Sequence, residues 1–341
     1  MQQRTAPRAA HLVLPGDRPP WTDTGLTVRR GERVTLLGSG RIRWSTGDGA
    51  GARHHLWGRV PGGSVFGCAR DTTTVVADRS GPLQLCVHLG RWTDANGGVV
   101  AGSAHYGRDR GALHVTVLIW PATTDPVVGL AGLPSGAADP VLVAAEQARL
   151  RDPVVPPGGG RHGLALGPDE VFRHTHSEGR AAIEVRCDDA AAALERDVDV
   201  GLLPGTRLEW SWRVQQLPGS GPENVLAGHD HLGITAGFGT GHELSWFWST
   251  VLDPDDDAFR CPVPGWSPLT HVPVRRGPAG LGRWRRESRD LWVDHDTLIG
   301  PPPARVRTVG LLVVSHFGHG TAAATFRDIA LRGPDGRVTA L

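Results

Sequence analysis

The sequence predicts an all-β protein: two β-sandwich, jelly-roll-like domains joined by a Pro/Gly-rich linker with short helical segments. Three observations carry that expectation. Gly (47) and Pro (27) exceed a fifth of the 341 residues, which leaves little room for long helices. Short apolar runs recur between turn residues at the spacing of sandwich strands. The length suits two domains, since roughly 100–200 residues per domain is usual.

The elements follow in order. Strands are expected at Arg33–Leu37, Leu83–Val87, Leu113–Ile119, Leu208–Val214 and Val309–Val314. Two Ala-rich stretches, Asp139–Arg151 and Asp188–Arg196, read as helices. Asp152–Gly160 is the clearest linker, and the run Gly237-Phe-Gly-Thr-Gly241 reads as a hairpin turn. The resulting division is an extension over 1–19, a first sandwich over 20–121, a linker over 122–160 and a second sandwich over 161–341.

Composition excludes several functions. The 36 basic and 35 acidic residues leave a net charge of +1, so no global field draws nucleic acid or an acidic membrane. All the basic residues are Arg, which with a single Met reads as a bacterial GC-rich coding bias. Without lysine there is no Schiff base and no Walker-type phosphate loop, so pyridoxal enzymes, such NTPases and lysine aldolases are excluded. No Gly-rich strand–turn–helix stands in a βαβ context, so nucleotide binding has no support. Residues 1–20 hold four Pro and lack the apolar run of a secretory signal, and no segment reaches ~18 apolar residues. Cys68, Cys86, Cys187 and Cys261 have no Cys-x-x-Cys spacing and are expected to be reduced and buried. A cytoplasmic protein is the expectation.

Two resemblances add to this reading. Trp21-Thr-Asp-Thr-Gly-Leu-Thr-Val28, Gly31-Glu-Arg-Val34, Gly38-Ser-Gly40, Leu56-Trp-Gly58 and the run from His105 to Val115 resemble the PA-I-type galactophilic lectin sandwich over about 20–120. In that family a Thr-Tyr-Gly-Asn-Asn-x-Gly loop and an upstream Asn-Asp hold a sugar-binding calcium. Here His105 stands for the Thr, Arg108 for the first Asn and His88-Leu89 for the Asn-Asp pair, leaving Asp109 as the oxygen donor. Calcium takes six to eight oxygens, so the resemblance implies a lectin-like fold whose calcium site is lost. The second half, with Glu209-Trp-Ser-Trp-Arg-Val214, Leu244-Ser-Trp-Phe-Trp-Ser249, Trp284-Arg-Arg-Glu287-Ser-Arg289-Asp290 and Phe326-Arg-Asp-Ile329, resembles a bacterial β-sandwich family of unassigned function. It implies a jelly roll like those of legume lectins and polysaccharide lyases over about 170–335. Where that family carries acidic residues, this chain has His229-Asp230-His231 and Ser315-His316-Phe317-Gly318-His319.

These departures supply the candidate site. Strand alternation groups His229 and His231 on one face, and His242 with Trp246 and Trp248 on one face of the next run. If His231 and His242 share a face, they sit above a Trp-lined floor, the usual form of a small-molecule pocket. The expected catalytic residues are His229, Asp230, His231, His242, Glu243 and His316; the expected substrate-binding residues are Trp210, Trp212, Trp246, Trp248 and Arg289. Histidine beside a carboxylate suits acid–base work near neutrality. The same histidines could make a two- or three-His metal centre, but no full ligand motif is present, and no cofactor or metal is expected. The plainer alternatives are core Trp residues, a structural ion pair at Glu287, Arg289 and Asp290, and hydrogen-bonded structural histidines. The functional expectation is a cofactor-independent cyclase, isomerase or lyase of bacterial specialised metabolism acting on a small organic molecule. The alternative is a non-catalytic carbohydrate-binding protein using the same face.

Overall fold

The structure is a computed structural model that describes residues 6–17, 21–43, 49, 51–68, 70–88, 96–98, 110–151, 163–166, 169–254, 257–263 and 268–340. The chain divides into two compact units, Met1–Val154 and Val155–Leu341. Linker residues 152–160 and the lectin-loop residues Leu89, His105, Arg108 and Asp109 lie outside the described residues.

The first unit contains β1 (Arg8–Pro15), β2 (Thr22–Val28), β3 (Arg33–Arg43), α1 (Ala52–His55), β4 (Leu56–Arg59), β5 (Phe66–Gly67), β6 (Thr72–Val76), β7 (Gly81–Val87) and β8 (Arg110–Trp120). They form two four-stranded sheets, ordered β1-β8-β3-β6 and β2-β7-β4-β5. Alternate residues such as Val34, Leu36, Leu83, Leu85, Val115 and Val117 meet between the sheets. The segment 8–15, expected as part of an extension, is an edge strand paired along its whole length with β8. Helices α2 (Pro126–Ala131) and α3 (Pro140–Arg151) follow. They share a small core with Leu37, Leu118 and Trp120.

The second unit contains β9 (Gly163–Leu166), β10 (Phe172–Ser177), β11 (Arg180–Asp188), β12 (Ala191–Gly201), β13 (Arg207–Gln216), β14 (His231–Gly237), β15 (Glu243–Ser249), β16 (Phe259–Arg260), β17 (Leu269–Arg276), β18 (Arg285–Asp290), α4 (Leu291–Leu298), β19 (Arg305–Val314), β20 (Thr321–Arg332) and β21 (Val338–Ala340). One sheet runs β10-β11-β20-β13-β18 with β21 beside β20; the other runs β16-β17-β15-β14-β19-β12-β9. The stretch 188–196, expected as a helix, is instead the end of β11 and the start of β12. Ala191, Ala192 and Ala193 lie in register with Val314, Val313 and Leu312 of β19, and cross-strand packing overrides their helix propensity. The expected turn after β14 is a hairpin, with Gly239 and Gly241 at φ +72° and +85°, where a side chain would be strained.

The core between these sheets is dominated by tryptophan. Trp210 and Trp212 project from β13, and Trp246 and Trp248 project from β15 to meet them, with ring centroids 6.5 and 5.6 Å apart. Three of the four indole N–H groups are hydrogen-bonded. Trp212 donates to Glu287 at 3.0 Å, Trp246 to Asp294 at 2.8 Å and Trp248 to the Gly277 carbonyl at 2.9 Å. The four tryptophans expected at the ligand are therefore fully buried core residues, because both inner faces must be filled. All four cysteines are free and buried. Among the described residues no helix is long and apolar enough to cross a membrane. Replacing Trp212 with Ala is expected to cost about 3–5 kcal/mol, read from guanidinium unfolding; a loss under about 1 kcal/mol would contradict this account of the core.

Candidate functional site

Because Leu232, Ile234 and Ala236 point into the core with Trp246 and Trp248, pleating sends His231, Gly233 and Thr235 of β14 to the opposite face. Residues paired across strands share a face. Gly233 opposes Phe247, Thr235 opposes Ser245, and Ser245 lies in register with His271 of β17. The outer face of the seven-stranded sheet therefore collects His231, Ser245, Phe247 and His271. His229 joins them from the short turn before β14.

The three imidazoles form a tight group. Ring centroids are 4.7 Å apart for His229 and His231, 4.9 Å for His229 and His271, and 4.5 Å for His231 and His271. Their exposures are 2%, 1% and 0%, although they lie outside the inter-sheet core. Their cover comes from the same chain: Phe259 of β16 stacks on His271 at 5.1 Å, and Phe317 lies 5.9 Å from His229. Cys261 Sγ is 3.3 Å from His229 Nε2.

Hydrogen bonds orient two of the rings. The Nδ1–H of His229 donates to the Glu223 carbonyl at 2.6 Å, and that of His231 to the His229 carbonyl at 3.2 Å. Those bonds assign the proton to Nδ1 and leave Nε2 with its lone pair. Among the described residues, His231 Nε2, both nitrogens of His271 and Ser245 Oγ are buried with no hydrogen-bond partner. Such groups are uncommon in folded proteins, and four on one face point to something that pairs with them.

Burial sets the electrostatics. It pushes the His229 imidazole down to about 4, against the opposing hydrogen bond to Glu223. It also pushes His231 and His271 well below the usual imidazole range, and the neighbouring histidines act in the same direction. All three rings are neutral at physiological pH. Asp230 is raised to about 6 by burial, opposed by the Phe317 and Gly318 amides that donate to its two oxygens at 2.9 and 2.6 Å. Those two bonds tie the 315–320 turn to the strand entry between His229 and His231. Burial raises Glu223 too, and its carboxylate accepts Ser249 Oγ at 2.7 Å and the Thr250 amide at 2.6 Å.

The expected site residues separate in space. His229, Asp230 and His231 are together. His242 and Glu243 are at the other end of the β14–β15 hairpin, where Glu243 opposes Gly237, six residues along β14 from His231. At ~3.4 Å per residue that is about 20 Å, so the expected meeting of His231 and His242 over a Trp floor does not occur. His231 shares its face with Phe247, and the tryptophans occupy the opposite face. His316 turns to Asp189, with Nδ1 3.3 Å from its Oδ1. Arg289 forms a two-point pair with Asp294 at 2.9 Å for each bond, and Asp294 holds the Trp246 indole, so the guanidinium braces the core.

His271 was missed. Its only signal was a polar residue in the alternating run Leu269-Thr-His-Val-Pro-Val274, and nothing local tied it to His229 forty-two positions earlier. Glu223 was missed for the same reason. Removing its carboxylate in Glu223→Ala leaves the Ser249 hydroxyl and the Thr250 amide without their acceptor. A loss of about 2–6 kcal/mol in urea unfolding is expected, from about 1–3 kcal/mol for each of the two unsatisfied groups; an unchanged midpoint would remove Glu223 from this framework.

A family model described as a protein of unknown function (DUF3047) matches residues 165–330. No curated protein matches the sequence. Similar solved structures include the N-terminal domain of EclA, a PllA-like lectin, at 17% identity, with 32% of this chain and 95% of that chain covered and a TM-score of 0.26. TmCBM61 in complex with β-1,4-galactotriose is 12% identical, with 50% and 86% covered and a TM-score of 0.26. The xyloglucanase domain of NopAA, a type three effector from Sinorhizobium fredii, in complex with cellobiose, is 10% identical, with 55% and 92% covered and a TM-score of 0.30.

Proposed function

We propose that the second unit binds a hydroxyl-rich small molecule at the outer face of its seven-stranded sheet, with oligosaccharide the ligand class. The observation that carries this reading is the set of buried polar atoms on that face that have no partner among the described residues: His231 Nε2, the two nitrogens of His271 and Ser245 Oγ. A neutral imidazole offers an acceptor nitrogen, and His271 also offers a donor. Sugar hydroxyls both donate and accept, so one ligand can satisfy the whole set. Phe247, Phe259 and Phe317 flank it with apolar surface, in the usual mixture of a small-molecule site.

Binding is better supported than turnover. Histidine acid–base work of the expected kind is oriented by a carboxylate beside the ring. Asp230 uses both oxygens on the 315–320 turn, and Glu223 uses both on Ser249 and Thr250. Glu243 stands opposite Gly237, six residues along β14 from His231, on the outer face two residues from Ser245.

Calorimetric titration of the full chain with β-1,4-galactotriose, cellobiose and longer β-linked oligosaccharides tests the reading. Saturable binding is expected, weakened about tenfold or more in His231→Ala and Ser245→Ala, since ~1.4 kcal/mol corresponds to a factor of ten. Binding that survives both substitutions, or no heat with any of these sugars, would sink it.

A further inference from the structure

We propose that His229, His231 and His271 together bind one transition-metal ion of the zinc class, with a coordination position left for a ligand oxygen. The inference deepens the ligand-site reading above and rests on it for the use of that open position. Its own foundation is the arrangement of the three imidazoles.

One ring nitrogen from each of the three histidines lies within 4.8 Å of the others. His231 Nε2 and the His271 nitrogens have no partner among the described residues, and His229 Nε2 meets the weak Cys261 thiol at 3.3 Å. A single hydroxyl can satisfy one or two of them, whereas one cation satisfies all three. Zn–N bonds of ~2.0–2.1 Å place tetrahedrally arranged nitrogens about 3.3 Å apart, so small ring rotations suffice to close the set. The hydrogen bonds from Nδ1 of His229 and His231 to backbone carbonyls are the device that orients metal-bound imidazoles and directs Nε2 at the ion. His231 and His271 stand on sheet strands, which hold ligand geometry better than loops.

The donor set also selects the ion. Among the described residues the donor set is three imidazoles without a carboxylate, which suits zinc, copper, nickel or iron and does not suit magnesium or calcium, which need oxygen. Three protein ligands rather than four is the count of sites that keep a position for water or substrate. The second His/Asp cluster, Asp189, His316 and His319, makes no comparable demand. His319 is exposed, and both imidazoles already approach the same Asp189 oxygen, at 3.3 and 2.9 Å.

The test is a titration of chelator-treated full-length protein with Zn²⁺ and with Co²⁺, read by metal content, thermal midpoint and visible absorption. One ion per chain, a raised midpoint and a tetrahedral cobalt spectrum are expected. His231→Ala and His271→Ala should lose the ion, while His242→Ala, at the far end of the hairpin, should keep it. Because the alanine variants remove buried volume, His271→Phe is the second readout. It keeps a ring and deletes both unpartnered nitrogens, so the chelator-treated variant should melt at or above chelator-treated wild type, with no rise on adding zinc. Absence of stoichiometric binding, or metal retained by His271→Phe, overturns the inference. An intense sulfur-to-cobalt charge-transfer band would put Cys261 in the fourth position and overturn the open site. Oligosaccharide binding that persists under chelator would overturn the open position as the ligand's contact and keep the ligand reading. Metal bound with no oligosaccharide response would discard the ligand reading and keep the ion.

Discussion

The second unit depends on one constraint: four indoles must fit between two sheets. Trp210 and Trp212 of β13 meet Trp246 and Trp248 of β15 with no solvent between them. Aromatic side chains of this size bury roughly 150–250 Å² each, and no slip of register can expose them cheaply. Once β15 is fixed in this way, pleating leaves no choice for the rest. Ser245 and Phe247 must face outward, and with them His231 of β14 and His271 of β17, through the register of the two neighbouring pairs. The supports of the core extend the same logic. Glu287, Asp294 and the Gly277 carbonyl accept indole N–H groups, and Arg289 holds Asp294 in place.

The outer face is organised by carboxylates that do not themselves join the histidine group. Asp230 sits between His229 and His231 and spends both oxygens on the amides of Phe317 and Gly318. Glu223 spends its carboxylate on Ser249 and Thr250 and its carbonyl on His229. Two buried acids thus fix the segments that cover the imidazoles, at a desolvation cost visible in their raised pKa values. Gly320 closes the turn where any Cβ would meet the Pro218 carbonyl at 1.9 Å. The result is a cover over three neutral rings whose nitrogens are not all paired among the described residues.

The first unit covers a sheet in a different way. Residues 126–151, within the segment read as linker, bring two helices onto Leu37, Leu118 and Trp120. There the buried Glu146 accepts the Thr72 hydroxyl at 2.7 Å and pairs with Arg149 at 2.6 Å. In this unit too a buried carboxylate ties a covering segment to a strand, and a tryptophan, Trp120, donates to a strand hydroxyl, Thr35 Oγ1, at 2.9 Å.

By itself the sequence determined the β-sandwich class, the strands with strong alternation, the α3 helix and the hairpin after β14, because these follow from short-range periodicity and turn chemistry. It also marked His229, Asp230 and His231 as unusual. Ala191–Arg196 was misread because alanine carries a helix preference and no signal of the β19 strand that captures it. Alternation sets Leu244, Trp246 and Trp248 on one face, but only the tertiary structure could decide that this face meets the opposite sheet and not a ligand. That choice places Trp210, Trp212, Trp246 and Trp248 in the core, removes His242 and Arg289 from the site and brings in His271. The meeting of His229, His231 and His271 is set by strand order and register across β14, β15 and β17, a long-range relation to which no local pattern corresponds.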